Sequence, residues 1–403
     1  MLRYVKGFYL PAMLGASIEY YDIALYGYMA PVLVQVFFPY LDKTTAYFLY
    51  FLFEFFAAIF QLAGANFFGF IGDKHGRKPA MYSSMLGMSC ITFLMCMLPT
   101  YGQIGISATI LFMIMRGLQS FFLGGEYNGG AIYLMEHENN HTKHDLISGL
   151  YCAFTVSGIV VASIIAFICN KMGSEYFRIA YAISFLLAFA TYKMRLSLKE
   201  TPAYTKYSKD ISNTNTPKKI FILKIVIASL FFGALYGLPT RILNALLPIA
   251  IGINSDQIML LNTSCLILYM GLLILAGLSA NKYGTKRVMK LAVIAVCILS
   301  YPLMMLIQTG YWVHIILAKI IFTILTATFI GPFHSWAQSM SNIHTRYKSI
   351  SISYAIGKCF STILLAFSFL IYDHFKNITV LGIILSFIAI VTTRIFYETS
   401  TQK

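Results

Sequence analysis

The stretch GFIGDKHGRK, Gly69 to Lys78, sits between two long apolar runs, and its composition decides how the rest of the chain is read. Its glycines permit a tight turn and close approach of neighbouring helices. Asp73 within it is suited to pair with a basic group and to accept hydrogen bonds from a helix N-terminus. A patch that merely holds a loop on one side of a membrane needs neither the glycines nor the aspartate. Nor does it need a second copy, yet GLSANKYGTK at 277–286 repeats the pattern: Gly69, Asp73, Gly76 and Lys78 map onto Gly277, Asn281, Gly284 and Lys286 at a constant offset of 208. Tyr26-Gly27 maps likewise onto Tyr236-Gly237 at 210.

The runs flanking this loop recur along all 403 residues, of which 58% are hydrophobic and 11% charged. A mean hydropathy of +0.72 puts the chain outside the soluble range. A membrane helix needs about 20 apolar residues, and the runs give spans near 9–36, 46–71, 79–99, 106–135, 147–170, 176–194, 221–250, 258–280, 288–308, 311–336, 347–372 and 377–397. They are too long for barrel strands of about 10 residues, so they are helices whose backbone is satisfied internally. The first run is too long for a signal peptide and lacks a small-residue cleavage site, so it is kept as a span. The expected fold is an all-α membrane protein of twelve transmembrane helices in two six-helix pseudo-repeats. The polar stretch from Arg195 to Lys219 is the one long loop and follows the sixth span. It sets the expected boundaries: an N-terminal bundle at 1–194, a central loop at 195–220 and a C-terminal bundle at 221–403. Two parallel copies of a six-span unit suit alternating access, with substrate held between them near the midplane.

Of the 30 Lys and Arg, 22 fall on the side carrying both termini, which makes that side the cytoplasm by the positive-inside rule. The net charge of +15 is thereby read as an insertion signal and an attraction to anionic lipid, and nucleic acid needs no place among the partners. Seven cysteines lie in hydrophobic runs without metal or redox spacing and are read as packing residues. No nucleophile motif, metal-ligand spacing or nucleotide-binding loop is present, so neither an enzyme nor a cofactor is expected.

The loop at 69–78 resembles the signature of the major facilitator superfamily. Span 1 carries Gly15-x-x-x-Glu19-Tyr20-Tyr21-Asp22 and then Tyr26-Gly27. Span 4 carries Arg116-Gly117-Leu118-Gln119, then Gly124-Gly125-Glu126-Tyr127-Asn128-Gly129-Gly130-Ala131 and Glu136, and Leu198-Lys199-Glu200-Thr201-Pro202 follows span 6. Within the superfamily these resemble the metabolite:proton symporters, which include proline/betaine, shikimate, ketoglutarate and citrate carriers. The resemblance implies proton-coupled uptake of a small polar metabolite in the bacterial inner membrane by a protein working as a monomer. It also implies a gating role for Gly69, Gly72, Asp73, Gly76, Arg77 and Lys78. It covers the first half and is weaker in the second. Where the family has an Arg-Pro pair in span 2 this chain has Gln61-Leu62, which removes support for a multiply charged anion as substrate, and an extra acid, Glu54, lies seven residues earlier. The coiled-coil tail of the osmosensing branch is not expected, the chain ending at Lys403 soon after span 12.

Ionisable residues at bilayer depth usually face a cavity. Glu19 and Asp22 lie roughly 15–20 Å into span 1 and share a helical face with Tyr26. They either line a cavity or are neutralised by an interhelical hydrogen bond. Asp22, with Glu19 and Glu126, is the expected proton-coupling set, and Arg116, at similar depth, is expected as counter-charge. Glu126 is alternatively a packing acid beside its glycine pairs. Expected substrate contacts are Arg116, Tyr26, Gln119, Arg241 and Lys319. His334, equivalent to Glu126 in the repeat, is either a titrating group or a packing residue. An efflux antiporter of the same fold usually carries Gly-Pro in span 5, which has no proline here, and a solute sensor would want a large soluble output domain.

Overall fold

The computed structural model describes residues 9–138, 143–207 and 219–397, and within these every regular element is helical. The first span is two helices, α1 (Leu10–Tyr28) and α2 (Ala30–Phe37), interrupted at Met29. Pro31 has no N–H to offer the Gly27 carbonyl, so the ladder breaks there. Bonds of 2.9 Å from Met29 N to Leu25 O and from Leu33 N to Met29 O carry it past the break. Next come α3 (Lys43–Lys74), α4 (Arg77–Cys96), the single turn α5 (Tyr101–Ile104), α6 (Ile106–His137), α7 (His144–Met172) and α8 (Phe177–Leu196). The short α9 (Pro202–Tyr207) follows α8. Then α10 (Lys219–Gly237) passes through a π turn at Leu238–Ile242 into α11 (Leu243–Ile251). The remainder is α12 (Ser255–Tyr283), α13 (Thr285–Gln308), α14 (Trp312–Ile330), α15 (Phe333–Ser339), α16 (Arg346–Phe375) and α17 (Thr379–Tyr397).

Eleven segments of the described residues are long and apolar enough to cross a membrane, the π turn and the Gly331-Pro332 break each lying inside one of them. The first span, divided at Met29, is not among them. Glu19, Asp22 and several tyrosines dilute its hydropathy, and neither α1 nor α2 alone fills the criterion. The architecture is an all-α multi-pass membrane fold.

By compactness the chain forms two units, one of Met1–Asn139, Phe154–Pro217 and Ser341–Ala355, the other of Asn140–Ala153, Lys218–Met340 and Ile356–Lys403. In the first unit α3, α4 and α8 gather on α6 and α1. The approach of α3 to α6 depends on small residues. A Cβ on Gly124 would collide with the backbone at Gln61 and Ala65, and one on Gly64 with Phe121 O. In the second unit α13 packs on α14 and α17, and α12 on α14. Gly284, at φ +94°, precedes α13 as Gly76, at φ +114°, precedes α4, so the sequence repeat is a repeat of backbone conformation.

Candidate functional site

The motif loop of the first unit is organised by Asp73 and Arg77. Asp73 accepts the backbone N–H groups of Tyr347 and Lys348, each at 3.0 Å, and a guanidinium N–H of Arg77 at 3.1 Å. The first N–H groups of α16 have no helical partner, and a carboxylate there both satisfies them and complements the helix dipole. Arg77 is fully buried and forks onto Glu136 through two bonds of 3.1 Å. It also donates to Gly72 O at 2.6 Å and Ile343 O at 2.8 Å. Glu136 receives Arg346 at 3.1 Å and the Thr201 hydroxyl at 2.8 Å. A Cβ at Gly69 would lie 2.7 Å from Lys348 Cα, and one at Gly72 would enter the Tyr347 ring, so both glycines are set by the approach of α16. Glu200 closes the arrangement by accepting the N–H groups of Arg77 and Lys78 at 3.1 Å each, at the start of α4.

Deeper in the same unit, Asp22 is wholly buried and held by the hydroxyls of Ser184 and Thr92, the latter at 3.2 Å. Gln119 donates to Thr92 at 3.3 Å and accepts from Arg116 at 2.7 Å. The Arg116 guanidinium lies 4.2 Å from the centre of the Tyr26 ring, a cation–π contact. Tyr26 stacks on Tyr50 at 4.2 Å, and each hydroxyl donates to the other's carbonyl, at 2.8 and 2.6 Å. Between this centre and the motif loop, Glu126 is gripped by both terminal nitrogens of Arg195, one at 2.6 Å, and accepts from Ser84 at 3.1 Å. Gly15 is glycine for the same reason: a Cβ there would collide with the Arg195 guanidinium.

The second unit holds a small cavity of about 20 Å³ lined by Tyr236, Thr240, Asn262, Cys265, Tyr269, Thr323, Thr326 and neighbouring apolar groups. The π turn and Pro239 bend the wall that carries Tyr236 and Thr240. Lys319, one turn before Thr323, is 3% exposed and donates to the Asn244 carbonyl oxygen. Asn244 in turn donates to Thr240 O. Arg241 is exposed and within electrostatic reach of Tyr236.

Comparison with known proteins gives this geometry its class. Residues 8–220, more than half of the chain, match the family described as sugar (and other) transporter. The chain belongs to that family. Relatives named proline/betaine transporter, from Salmonella typhimurium and Escherichia coli, are each 24% identical over 378 residues, covering 86% of this chain and 73% of theirs. The glycine betaine/proline/ectoine/pipecolic acid transporter OusA of Dickeya dadantii is 23% identical with the same coverage. Among solved structures, the proton:xylose symporter XylE bound to 6-bromo-6-deoxy-D-glucose superposes with a TM-score of 0.82 at 14% identity, covering 96% of this chain and 94% of that one. The human organic anion transporter MFSD10 reaches 0.72 at 10% identity, covering 96% and 98%. The fold is thus the major facilitator fold, and the protein is a transporter of small molecules.

Within the first unit, Asp22 and Arg116 are linked through neutral groups. Arg116 makes no ion pair with Asp22. Gln119 and Thr92 stand between them, because the guanidinium is drawn onto the Tyr26 ring. Of the two readings of Asp22, hydrogen bonds to other helices are present, from Thr92 on α4 and Ser184 on α8. Glu19 is also buried, on α1, and Glu54 is half-buried within electrostatic reach of the Tyr26–Tyr50 pair. His334 is buried edge-on to Tyr151, with ring centroids 5.5 Å apart. Sequence reasoning gave no role to Arg195 or Arg346 and quoted Glu200 only within a family motif. The signal for Arg195 was a second glycine–acid requirement, Gly15 and Glu126, that only a bulky cation between them explains.

Proposed function

We propose that the chain takes up a small polar metabolite across the bacterial inner membrane by proton symport, with Asp22 as the proton carrier. The observation that carries this reading is the chemical difference between Asp22 and the other buried acids. Glu126 and Glu136 are each bonded directly to a guanidinium, that of Arg195 and of Arg77 respectively. Asp22 is wholly buried, accepts from the neutral hydroxyls of Ser184 and Thr92, and has no guanidinium bonded to it among the described residues. A hydroxyl donates to a carboxylate and accepts from a carboxylic acid equally well, so the site accommodates both protonation states. The relay through Thr92 and Gln119 to Arg116 gives substrate a path to that equilibrium. Whatever draws Arg116 away alters the affinity of Asp22 for its proton, and protonation alters substrate affinity by the same factor.

The motif loop is the gate in this reading. Asp73 and Glu136 tie the start of α16, from the second half of the sequence, to α3, α4 and α6 of the first. Transport requires those bonds to break and reform. By charge distribution this face, with both termini, is cytoplasmic, the working unit is a single chain, and anionic lipid surrounds its basic rim. The proposal is tested by uptake into proteoliposomes of labelled proline, glycine betaine, ketoglutarate and xylose with and without an imposed pH gradient. Accumulation of at least one solute that follows the gradient supports it, and uptake indifferent to the gradient refutes it.

A further inference from the structure

The exposed side of α3 carries a regular pattern that the coupling and gating residues do not use. Phe56, Ile59, Ala63, Asn66 and Phe70 all lie on it, and their alternating spacing of three and four residues is that of a heptad seam. The opposite side of the helix packs on α6 and α16, through Gly64, Gly69 and Gly72. Asn66 is the polar member of the seam. It lies eight residues, roughly 12 Å, from the end of α3 at Lys74. A side chain this short does not reach the headgroups from there, as a long lysine or arginine would. Exposed hydroxyls on other spans bond their own helix: Ser264 donates to Leu260 O at 3.0 Å, Ser279 to Leu275 O at 2.8 Å and Thr328 to Ile324 O at 2.7 Å. Exposed glutamines such as Gln35 and Gln257 stand within a turn of a helix end, where water reaches them. The Asn66 carboxamide has neither remedy, and it makes no hydrogen bond among the described residues.

We infer that this seam docks a second copy of the chain, α3 against α3, about a two-fold axis normal to the membrane. Lipid tails offer a carboxamide neither donor nor acceptor, and leaving it unmet is costly. A carboxamide answers another carboxamide, each N–H donating to the other's carbonyl oxygen, and such bonds help hold membrane helices together. A second copy is the partner that brings one to the right depth. Copies inserted in the same orientation run their α3 helices parallel, so Asn66 of one is level with Asn66 of the other. Two-fold pairing is self-complementary, and one seam serves both copies. The seam from Phe56 to Phe70 carries no ionisable residue that would repel its twin. Ala63, one turn from Asn66, lets the helices approach closely, as small residues do at membrane-helix contacts. Phe60 and Phe67, at 44 and 51% exposure, flank the contact on one side. Lys74 folds its ammonium to 5.2 Å from the centre of the Phe70 ring and ends the seam. Neither Asp22 nor the bonds of the motif loop take part, so each copy keeps its own transport path, and the pairing is independent of substrate and coupling ion.

The test counts photobleaching steps of the fluorophore-labelled full chain in liposomes over a series of protein-to-lipid ratios. Wild type should pass from one chain to two as density rises and stop at two. Asn66→Leu should weaken the dissociation constant at least about 5-fold, the worth of an interhelical hydrogen bond in a membrane, and Asn66→Gln should recover part of the loss. Ala63→Phe, which adds bulk to the same seam, should weaken pairing as well, whereas Ser264→Leu on the exposed side of α12 should leave it unchanged. Diluted to single chains in detergent, Asn66→Leu should melt no lower than wild type, because the side chain has no partner within its own chain. Single chains at every density, a plateau above two, or pairing by Asn66→Leu as tight as wild type overturns the inference. So does equal weakening by Ser264→Leu, or a lower melting temperature of single-chain Asn66→Leu, which would place the role of Asn66 inside its own bundle.

Discussion

Arg77 and Glu136 are joined by two parallel hydrogen bonds of 3.1 Å, and neither side chain reaches solvent. Removing the guanidinium leaves Glu136 with Arg346 as its one cation and takes from Asp73 the cation beside it. Arg77→Ala is expected to cost about 3–5 kcal/mol, the loss typical of a broken buried ion pair. Arg77→Lys should recover little, because an ammonium cannot reproduce the planar fork. Thermal melting in detergent measures both, and an Arg77→Ala variant as stable as wild type contradicts the central position of Arg77.

Asp73 holds α16 by its first backbone N–H groups. Asp73→Asn keeps one acceptor oxygen and loses the charge, so closure of this face weakens. Transport should slow strongly while equilibrium substrate binding stays within a few-fold. Counterflow rate and binding, measured on one preparation, separate the two, and lost binding with a normal exchange rate argues against a gate.

Glu200 caps α4 through the N–H groups of Arg77 and Lys78. Glu200→Ala should lower stability by about 0.5–2 kcal/mol, as loss of a helix N-cap does. Gly76→Ala should be the more damaging, since φ is +114° and a Cβ would meet the Glu200 carboxylate. The order of the two melting temperatures checks the arrangement.

Glu126 is paired with Arg195 in the interior, so Glu126→Gln should destabilise the fold while the protein that remains folded still accumulates substrate along a pH gradient. Loss of gradient-driven uptake with unchanged melting would move Glu126 into the coupling chemistry.

Much of this was legible in the chain. Hydropathy marks eleven of the spans because lipid demands continuous apolar length, and the Gly-Asp-Gly-Arg loop stands out because its glycines have no role in a simple charge patch. The partners were not legible. Tyr347 comes to Asp73 and Arg346 to Glu136 from more than 250 and 200 residues away in sequence, and nothing in their local composition marks them. Arg195 reads as the first cation of a polar loop, yet the last turn of α8 carries it into the bundle with no exposure. Depth along α1 placed Asp22 correctly in the interior, but depth could not tell that hydroxyls rather than Arg116 would surround it. Cation–π attraction to Tyr26 decided that, and one-dimensional spacing does not encode it.

The most direct measurement is uphill uptake by Asp22→Asn in proteoliposomes, with an imposed inward proton gradient and the same labelled substrate as wild type. Proton coupling through Asp22 predicts that gradient-driven accumulation is abolished while exchange of substrate across the membrane persists, because asparagine still hydrogen-bonds Thr92 and Ser184 but carries no proton. Undiminished uphill uptake with unchanged pH dependence would contradict it.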